Sequence, residues 1–368
     1  MKVAVLGAGH GGQAMAADLT LAGHEVRFAA VPEHAKNLVV IKAFGGIFLE
    51  GSTSTGKPPG FAKIHMITDD VPAAVKGAEI VMIVVPAFAQ ESYMRVLVEC
   101  AEPGQLIVFN PGKFGALAFA KMLLDAKRYG EILIGETDTL IYAARMKGAG
   151  HTWIMGVKSD LYYSAFPSVD TAITLSMLLD LFPQFSPAKN IFQTSVDDVA
   201  MTLHPITTLM NTSRIELMGP YKNSHYDITP SIGRVIEVVD NERIELAKKL
   251  RYETLDYYEC YEMEYGVKGR TVYEVIRNVS AYGIMSSPDS IKHRYVTEEI
   301  PYGLVPVAEL AKIAGITTPG TDCFIQLASM ANEVDYRREG RSLAAMGLEG
   351  LDIAGLINYV TYGPARSE

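Results

Sequence analysis

A short apolar run, Lys2–Leu6 (KVAVL), leads straight into Gly7-Ala8-Gly9-His10-Gly11-Gly12, and this junction constrains the fold more than any other feature of the chain. Glycines at 7, 9 and 12 have the spacing G-x-G-x-x-G, which on its own is weak evidence. The context makes it specific. A strand precedes the loop, a small-residue helix (Gln13–Ala22) follows, and a second strand (Glu25–Ala29) closes a β-α-β unit. In such a unit the first glycine permits a tight turn, the second lets the backbone approach a pyrophosphate, and the third lets helix and strand pack closely. The free N–H groups and positive dipole end of the helix then face the phosphates. Gly7, Ala8, Gly9, His10, Gly11 and Gly12 are therefore the expected cofactor loop, and the expected cofactor is NAD or NADP.

The acid that usually ends the second strand is missing. About twenty residues past the loop stand Phe28-Ala29-Ala30-Val31, where an Asp or Glu would accept the ribose 2′-hydroxyl of NAD. Ala30 supplies neither a carboxylate nor a cation, and Arg27 alternates to the wrong side if Phe28 faces the core. The choice between NAD and NADP stays open.

Further apolar runs, Ile80–Val85, Leu106–Phe109 and Ile132–Ile134, show no polar alternation and suit strands covered on both faces. Helical patterns at Gln90–Cys100 and Phe114–Arg128 lie between them, as a doubly wound α/β domain requires. Thr152–Val157 and Leu161–Phe166 read as strands joined in a hairpin through Lys158-Ser159-Asp160, with a helix from Ser168 to Phe182 after them. Pro183, Pro187 and the polar stretch Ser186–Asn190 mark a boundary. Beyond it Val196–Glu216, Ser231–Arg251, Pro306–Ala314 and Thr321–Val334 carry helical spacing. In the second of these, Ile232, Val235, Ile236, Val239, Leu246 and Leu250 recur three or four apart, with Arg234, Glu237, Asp240 and Lys248 between. The expected architecture is an α/β Rossmann N-terminal domain (residues 1–187) plus an all-helical C-terminal dehydrogenase domain (residues 188–368).

Charge excludes some partners. Thirty-three Lys and Arg against 42 Asp and Glu leave a net charge of −9, the wrong sign for gripping nucleic acid or an anionic membrane surface. No apolar run approaches the roughly 20 residues that cross a bilayer, and the glycines after Leu6 break any resemblance to a signal peptide. Three scattered cysteines, Cys100, Cys260 and Cys323, form no disulfide framework or metal motif. The eight histidines do not group with carboxylates at ligand spacing, so no metal is expected. A cytoplasmic homodimer is the expected state.

Two strand ends have unusual chemistry, Val85-Pro86-Ala87 and Asn110-Pro111-Gly112-Lys113-Phe114-Gly115. Ligands of open parallel sheets bind beyond the carboxyl ends of the strands, so Pro86, Asn110 and Gly112 are candidate cofactor contacts. The helical half offers His204-Pro205, Asn211 and Arg214. On one continuous helix His204 and Asn211 nearly superimpose, with Arg214 about 80° round. Pro205 is expected to start or kink that helix. Further on, His293-Arg294-Tyr295-Val296-Thr297-Glu298-Glu299-Ile300-Pro301-Tyr302-Gly303-Leu304 reads as a charged loop entering a helix.

Together these segments resemble the opine dehydrogenase family of octopine/nopaline dehydrogenase type, over nearly the full length. The resemblance rests on Gly7–Gly12, Val84-Val85-Pro86-Ala87, Asn110-Pro111-Gly112, Gly135-Glu136-Thr137 with Arg145, and His204-Pro205 with Asn211. It continues through Thr229-Pro230-Ser231, Arg294-Tyr295 with Glu298-Glu299, Gly303-Leu304-Val305-Pro306, and Arg338-Glu339-Gly340-Arg341. It implies reaction in a cleft between the two domains. An amino acid condenses there with a 2-keto acid such as pyruvate, and NAD(P)H reduces the imine to an N-(carboxyalkyl)amino acid. It also implies His204 as catalytic histidine, Glu299 as its carboxylate partner where the family has Asp, and Arg294 as keto-acid-binding arginine. Glu298 is the alternative partner of His204; Asn211 and Arg214 are candidate substrate contacts.

The residue types suit this chemistry without the family. A histidine exchanges protons near neutral pH, a carboxylate on its other nitrogen fixes the tautomer, and an arginine fork binds a carboxylate through two parallel hydrogen bonds. Two other readings share the layout. One is a carbonyl reductase resembling ketopantoate reductase or glycerol-3-phosphate dehydrogenase, which would call for a catalytic lysine. The other is a non-catalytic NAD(P)-binding redox sensor.

Overall fold

The computed structural model describes residues 1–220, 227–283 and 286–364. The chain divides into two compact units, one of Met1–Thr194 joined by the segment from Tyr359, the other of Ser195–Asn358.

Twelve strands build the first unit among its described residues. They are β1 (Lys2–Leu6), β2 (Glu25–Ala29), β3 (Gly46–Gly51), β4 (Phe61–Lys63), β5 (Met66–Thr68) and β6 (Ile80–Ile83). There follow β7 (Leu106–Phe109), β8 (Leu133–Thr137), β9 (Tyr142–Gly148), β10 (His151–Val157), β11 (Leu161–Phe166) and β12 (Phe185–Pro187). Eight of them form one sheet in the order β12-β11-β8-β7-β6-β1-β2-β5, parallel from β8 to β5. Every residue of β6 and β7 is buried, as the unbroken apolar runs predict. The helices His10–Ala22, Ala87–Cys100 and Gly115–Asp125 return the chain between parallel strands. This is the Rossmann architecture, and the second unit is all-helical among its described residues.

The four remaining strands make a second sheet, β4-β3-β10-β9, which packs on the helix His10–Ala22. The hairpin expected through Lys158-Ser159-Asp160 is absent. β10 pairs antiparallel with β9 and parallel with β3, whereas β11 pairs antiparallel with β8 in the main sheet. Two strands adjacent in sequence thus enter different sheets, which alternation of side chains does not reveal. The helix expected from Ser168 begins as a turn and spans Thr171–Leu178.

The expected division at 187/188 moves to 194/195. The proline stretch is not a linker, because Phe185–Pro187 adds a parallel strand beside β11. After it Ile191 and Phe192 are fully buried, and the Thr194 hydroxyl donates to Glu136 Oε1 at 2.9 Å. The chain also returns near its end, where the ring of Tyr359 packs 5.2 Å from that of Phe166.

In the second unit the longest helix, Pro230–Lys249, is capped by Thr229, whose hydroxyl accepts the Ile232 N–H. Its apolar stripe of Ile232, Ile236, Val239 and Leu246 is buried as expected. Asp240, expected on the polar face, is buried too, because Arg243 lies inside and takes its carboxylate at 2.6 Å. A buried charge needs a partner at hand.

Candidate active site

At the glycine loop, each glycine is needed for a different reason. Gly7 has φ +119° and its N–H donates to the Ala29 carbonyl at 2.8 Å, tying the turn to the end of β2. A Cβ on Gly12 would lie 1.7 Å from the Gly7 carbonyl oxygen, so only glycine lets the helix sit on the strand. A Cβ on Gly9 would meet nothing within 4 Å, which leaves open space above the backbone. Gly9 is the N-cap of helix His10–Ala22, no side chain caps that end, and no acid stands in its first turn. The amide end of the helix is thus available to an anion.

His10, exposed, opens that helix. Its Nδ1 lies 2.8 Å from the Met146 backbone N–H, and a backbone N–H can only donate. Nδ1 therefore carries no proton, and the neutral ring holds its proton on Nε2. Gly11 lies under Leu140 and Val84, where a Cβ would collide. The carbonyl of buried Ala8 accepts from Gln13 Nε2 at 3.0 Å and Asn37 Nδ2 at 2.8 Å. Gln13 also accepts the Gly150 N–H at 2.9 Å, so it straps the loop to the second sheet. Gln13 and Asn37 were not foreseen; a buried glutamine in an otherwise small-residue helix is the only sequence signal of such a strap.

Pro86 is half-buried and starts helix Ala87–Cys100 just past β6. Past β7 the Asn110-Pro111 bond is cis, and Asn110 is fully buried with neither amide atom partnered among the described residues. Such an orphaned amide is costly unless a ligand meets it. Open backbone at Gly9, an uncapped helix and an unpartnered Asn110 together fit a dinucleotide. Gly112 does a different job from the one expected of it. A Cβ there would lie 2.2 Å from Glu136 Cδ, so the missing side chain makes room for that buried carboxylate. Glu136 Oε2 accepts the Ala116 N–H at 3.0 Å and so fastens the Asn110–Gly115 turn to β8. Ala30 is buried and carries no polar group, and Arg27 is held by Glu25 and the Lys76 carbonyl.

In the second unit, helix Ala200–Met210 runs through Pro205, so His204 projects from regular helix instead of irregular backbone. Its carbonyl accepts the Thr208 hydroxyl at 2.7 Å. His204 Nδ1 lies 2.9 Å from Glu299 Oε1, and the Glu299 side chain is only 4% exposed. An ionised carboxylate can only accept, so Nδ1 carries the proton and Nε2 is left to exchange protons. Glu299 stands just before a wide π-type turn, Ile300–Leu304. The one-turn helix Arg294–Thr297 precedes it. Between Glu298 and Glu299 the geometry is plain: Glu298 takes Arg294 at 3.0 Å, and Glu299 takes His204. Burial works against the Arg294 charge, but Glu298 and Glu299 hold its guanidinium above the ordinary value. The side chain nevertheless stays half exposed.

Tyr295 was part of the motif but had no foreseen task. Its ring lies parallel to the His204 imidazole, centroids 3.8 Å apart and planes tilted by 7°.

Asn211 and Arg214 do not join this cluster. The helix expected over 196–216 breaks at Asn211, whose φ of −111° and ψ of 15° leave the helical region, and Thr212–Met218 starts anew. The face geometry computed for one continuous helix therefore fails. Asn211 Nδ2 donates to the carbonyls of Thr207 and Asp227, each at 2.8 Å. Arg214 pairs with buried Asp227, and its guanidinium reaches Ser287 Oγ at 3.4 Å. Burial raises Asp227 to about 6 although Arg214 opposes the shift. Both expected substrate contacts are engaged in holding local structure.

Residues 187–332 match the family model described as NAD/NADP octopine/nopaline dehydrogenase, alpha-helical domain. Residues 2–108 match one described as NADP oxidoreductase coenzyme F420-dependent. The opine dehydrogenase of Arthrobacter sp. (strain 1C) is 34% identical over 354 residues, covering 96% of this chain and 97% of that one. An octopine dehydrogenase solved with NADH and L-arginine is similar in fold, with a TM-score of 0.77 at 22% identity, covering 100% of this chain and 99% of that one. Its structure with NADH and pyruvate gives a TM-score of 0.75 at 22% identity, each chain covered completely. The chain belongs to the opine dehydrogenase family.

Proposed function

We propose that this protein catalyses the reductive condensation of an amino acid with a 2-keto acid such as pyruvate, yielding an N-(carboxyalkyl)amino acid. The observation that carries the reading is the His204–Glu299 pair beside Arg294, in a chain of this family. The amine and the keto carbonyl lose water to form an imine. NADH or NADPH, when bound, supplies the hydride for the imine carbon. Both are consistent with the matched models and with the neutral Ala30 position.

This chain's residues handle binding and protons. Gly9, His10 and the helix amides hold the diphosphate, Gly7, Gly11 and Gly12 shape that loop, and Asn110 and Pro86 lie at strand ends that receive the rest of the dinucleotide. Ala8 anchors the loop through its carbonyl. Arg294 presents its fork to the keto-acid carboxylate. His204 exchanges protons at Nε2 while Glu299 steadies the imidazolium that forms. Met1–Thr194, joined by the segment from Tyr359, is the nucleotide-binding domain of this reading and Ser195–Asn358 the catalytic domain. The substrates are small molecules, and the working form is a cytoplasmic homodimer.

The test is oxidation of NADH and NADPH with pyruvate and a panel of amino acids. Turnover that requires both substrates, with the secondary amine identified by mass spectrometry, supports the reading. Oxidation equally fast without an amine would overturn it.

A further inference from the structure

Two contacts hold the imidazole of His204, and only one of them is polar. The Glu299 hydrogen bond at Nδ1 fixes which edge of the ring faces the carboxylate. The Tyr295 ring covers one face of the imidazole at 3.8 Å with a 7° tilt. Tyr295 is itself held. Its N–H donates to His293 Nδ1 at 3.3 Å, and the His293 ring meets its own ring edge-on at 4.4 Å and 82°.

Near-parallel stacking at this separation holds one ring in the plane set by the other: turning the imidazole out of that plane would drive it into the phenol or lose the contact. The charged groups around it are Glu299, which pairs with Nδ1, and Arg294 and Glu298, which pair with one another.

We propose that Tyr295 is a positioning residue for the reaction: its ring fixes the plane of the His204 imidazole and so the direction in which Nε2 delivers the proton. This rests on the opine-dehydrogenase reading, which gives His204 its task. The phenol hydroxyl is not required; the ring is.

The experiment compares Tyr295→Leu and Tyr295→Phe with the wild-type enzyme, in kinetics and in ¹⁵N NMR of the His204 ring. Tyr295→Leu is expected to lower kcat by about 10- to 100-fold with KM for the keto acid changed less than about 3-fold, within the range of general acid–base effects. Its imidazole, no longer held in plane, shows both neutral tautomers, where the wild-type ring keeps its proton on Nδ1 beside Glu299. Tyr295→Phe keeps the stack and recovers most of the rate and the single tautomer. Should Tyr295→Leu fail to fold, Tyr295→Met serves with the same readouts. An unchanged kcat and a single tautomer in the leucine variant, or equal damage from phenylalanine, overturns the proposal. Failure of the wild-type enzyme to turn over any amine and keto acid overturns the function instead, and the ¹⁵N spectra still test the stack.

Discussion

Nδ1 of His204 and Oε1 of Glu299 stand 2.9 Å apart, bringing together a helix residue and a turn residue that are 95 positions apart in sequence. The contact leaves Nε2 as the nitrogen that exchanges protons. His204→Asn, which keeps a polar side chain but no titrating ring, is expected to lose at least about 100-fold in kcat. NADH affinity measured by calorimetry should stay within about 3-fold of wild type, because the groups proposed to hold the nucleotide are the glycine loop, Pro86 and Asn110 and not His204. Turnover near the wild-type rate would remove the imidazole from the mechanism.

Glu299→Gln keeps the shape and removes the charge. A glutamine can still accept from Nδ1–H, but it does not stabilise an imidazolium. The expected result is a drop of about 10- to 100-fold in kcat. Glu298→Gln, which loosens Arg294 instead, should act mainly on KM for the keto acid. Interchanged effects would reverse the two assignments.

Arg294 is half exposed, yet two carboxylates hold its charge. Arg294→Lys keeps a cation but loses the planar fork. It should raise KM for pyruvate about 10- to 100-fold, the cost of a charged hydrogen-bonded contact. Stability should barely change. An unaltered KM would end that role.

Asn110 is fully buried and neither amide atom finds a partner among the described residues. Asn110→Ala should weaken NADH binding by about 10-fold, while the free protein loses little stability because the orphaned amide gives it nothing. Equilibrium binding and thermal unfolding check the two halves. A large fall in unfolding temperature with unchanged affinity would make Asn110 a purely structural residue.

Burial holds Asp227 at about 6, above the ordinary range of a free aspartate. A carboxyl whose folded pKa is raised favours folding while protonated. Its contribution is therefore full below about pH 4 and is lost as pH rises through about 6. Relative to Asp227→Asn, which does not titrate, the wild-type protein should lose about 2 kcal/mol over that window, roughly 4–8 °C in unfolding temperature. A difference between the two that is flat with pH, or that grows with pH, contradicts the raised value.

Much of the first unit was legible because its signals are local. Lys2–Leu6, Glu25–Ala29 and Leu106–Phe109 are strands with the bounds that their apolar runs suggest. The glycine loop opens a helix as the spacing requires. The second sheet was not legible. β3, β4 and β9 are half-exposed strands, and the sheet closes only where β3 pairs with β10, far along the chain. Helix continuity across Asn211 failed for a similar reason. The spacing of 196–216 is helical throughout, yet the Asn211 amide is captured by carbonyls, including that of Asp227.

Sequence by itself determined the glycine turn, the parallel core around it and the presence of His204, Arg294 and an adjacent pair of acids. These follow from short-range rules: glycine's freedom at φ +119° in Gly7, strand burial on both faces, and the chemistry of side-chain types. Only the tertiary structure decided which acid meets the histidine, that an aromatic ring covers its face, and that Asn211 and Arg214 turn to Asp227. Hydrogen bonds and ring contacts extend only a few ångströms, so a partner dozens of residues away becomes a neighbour only when packing brings two elements together.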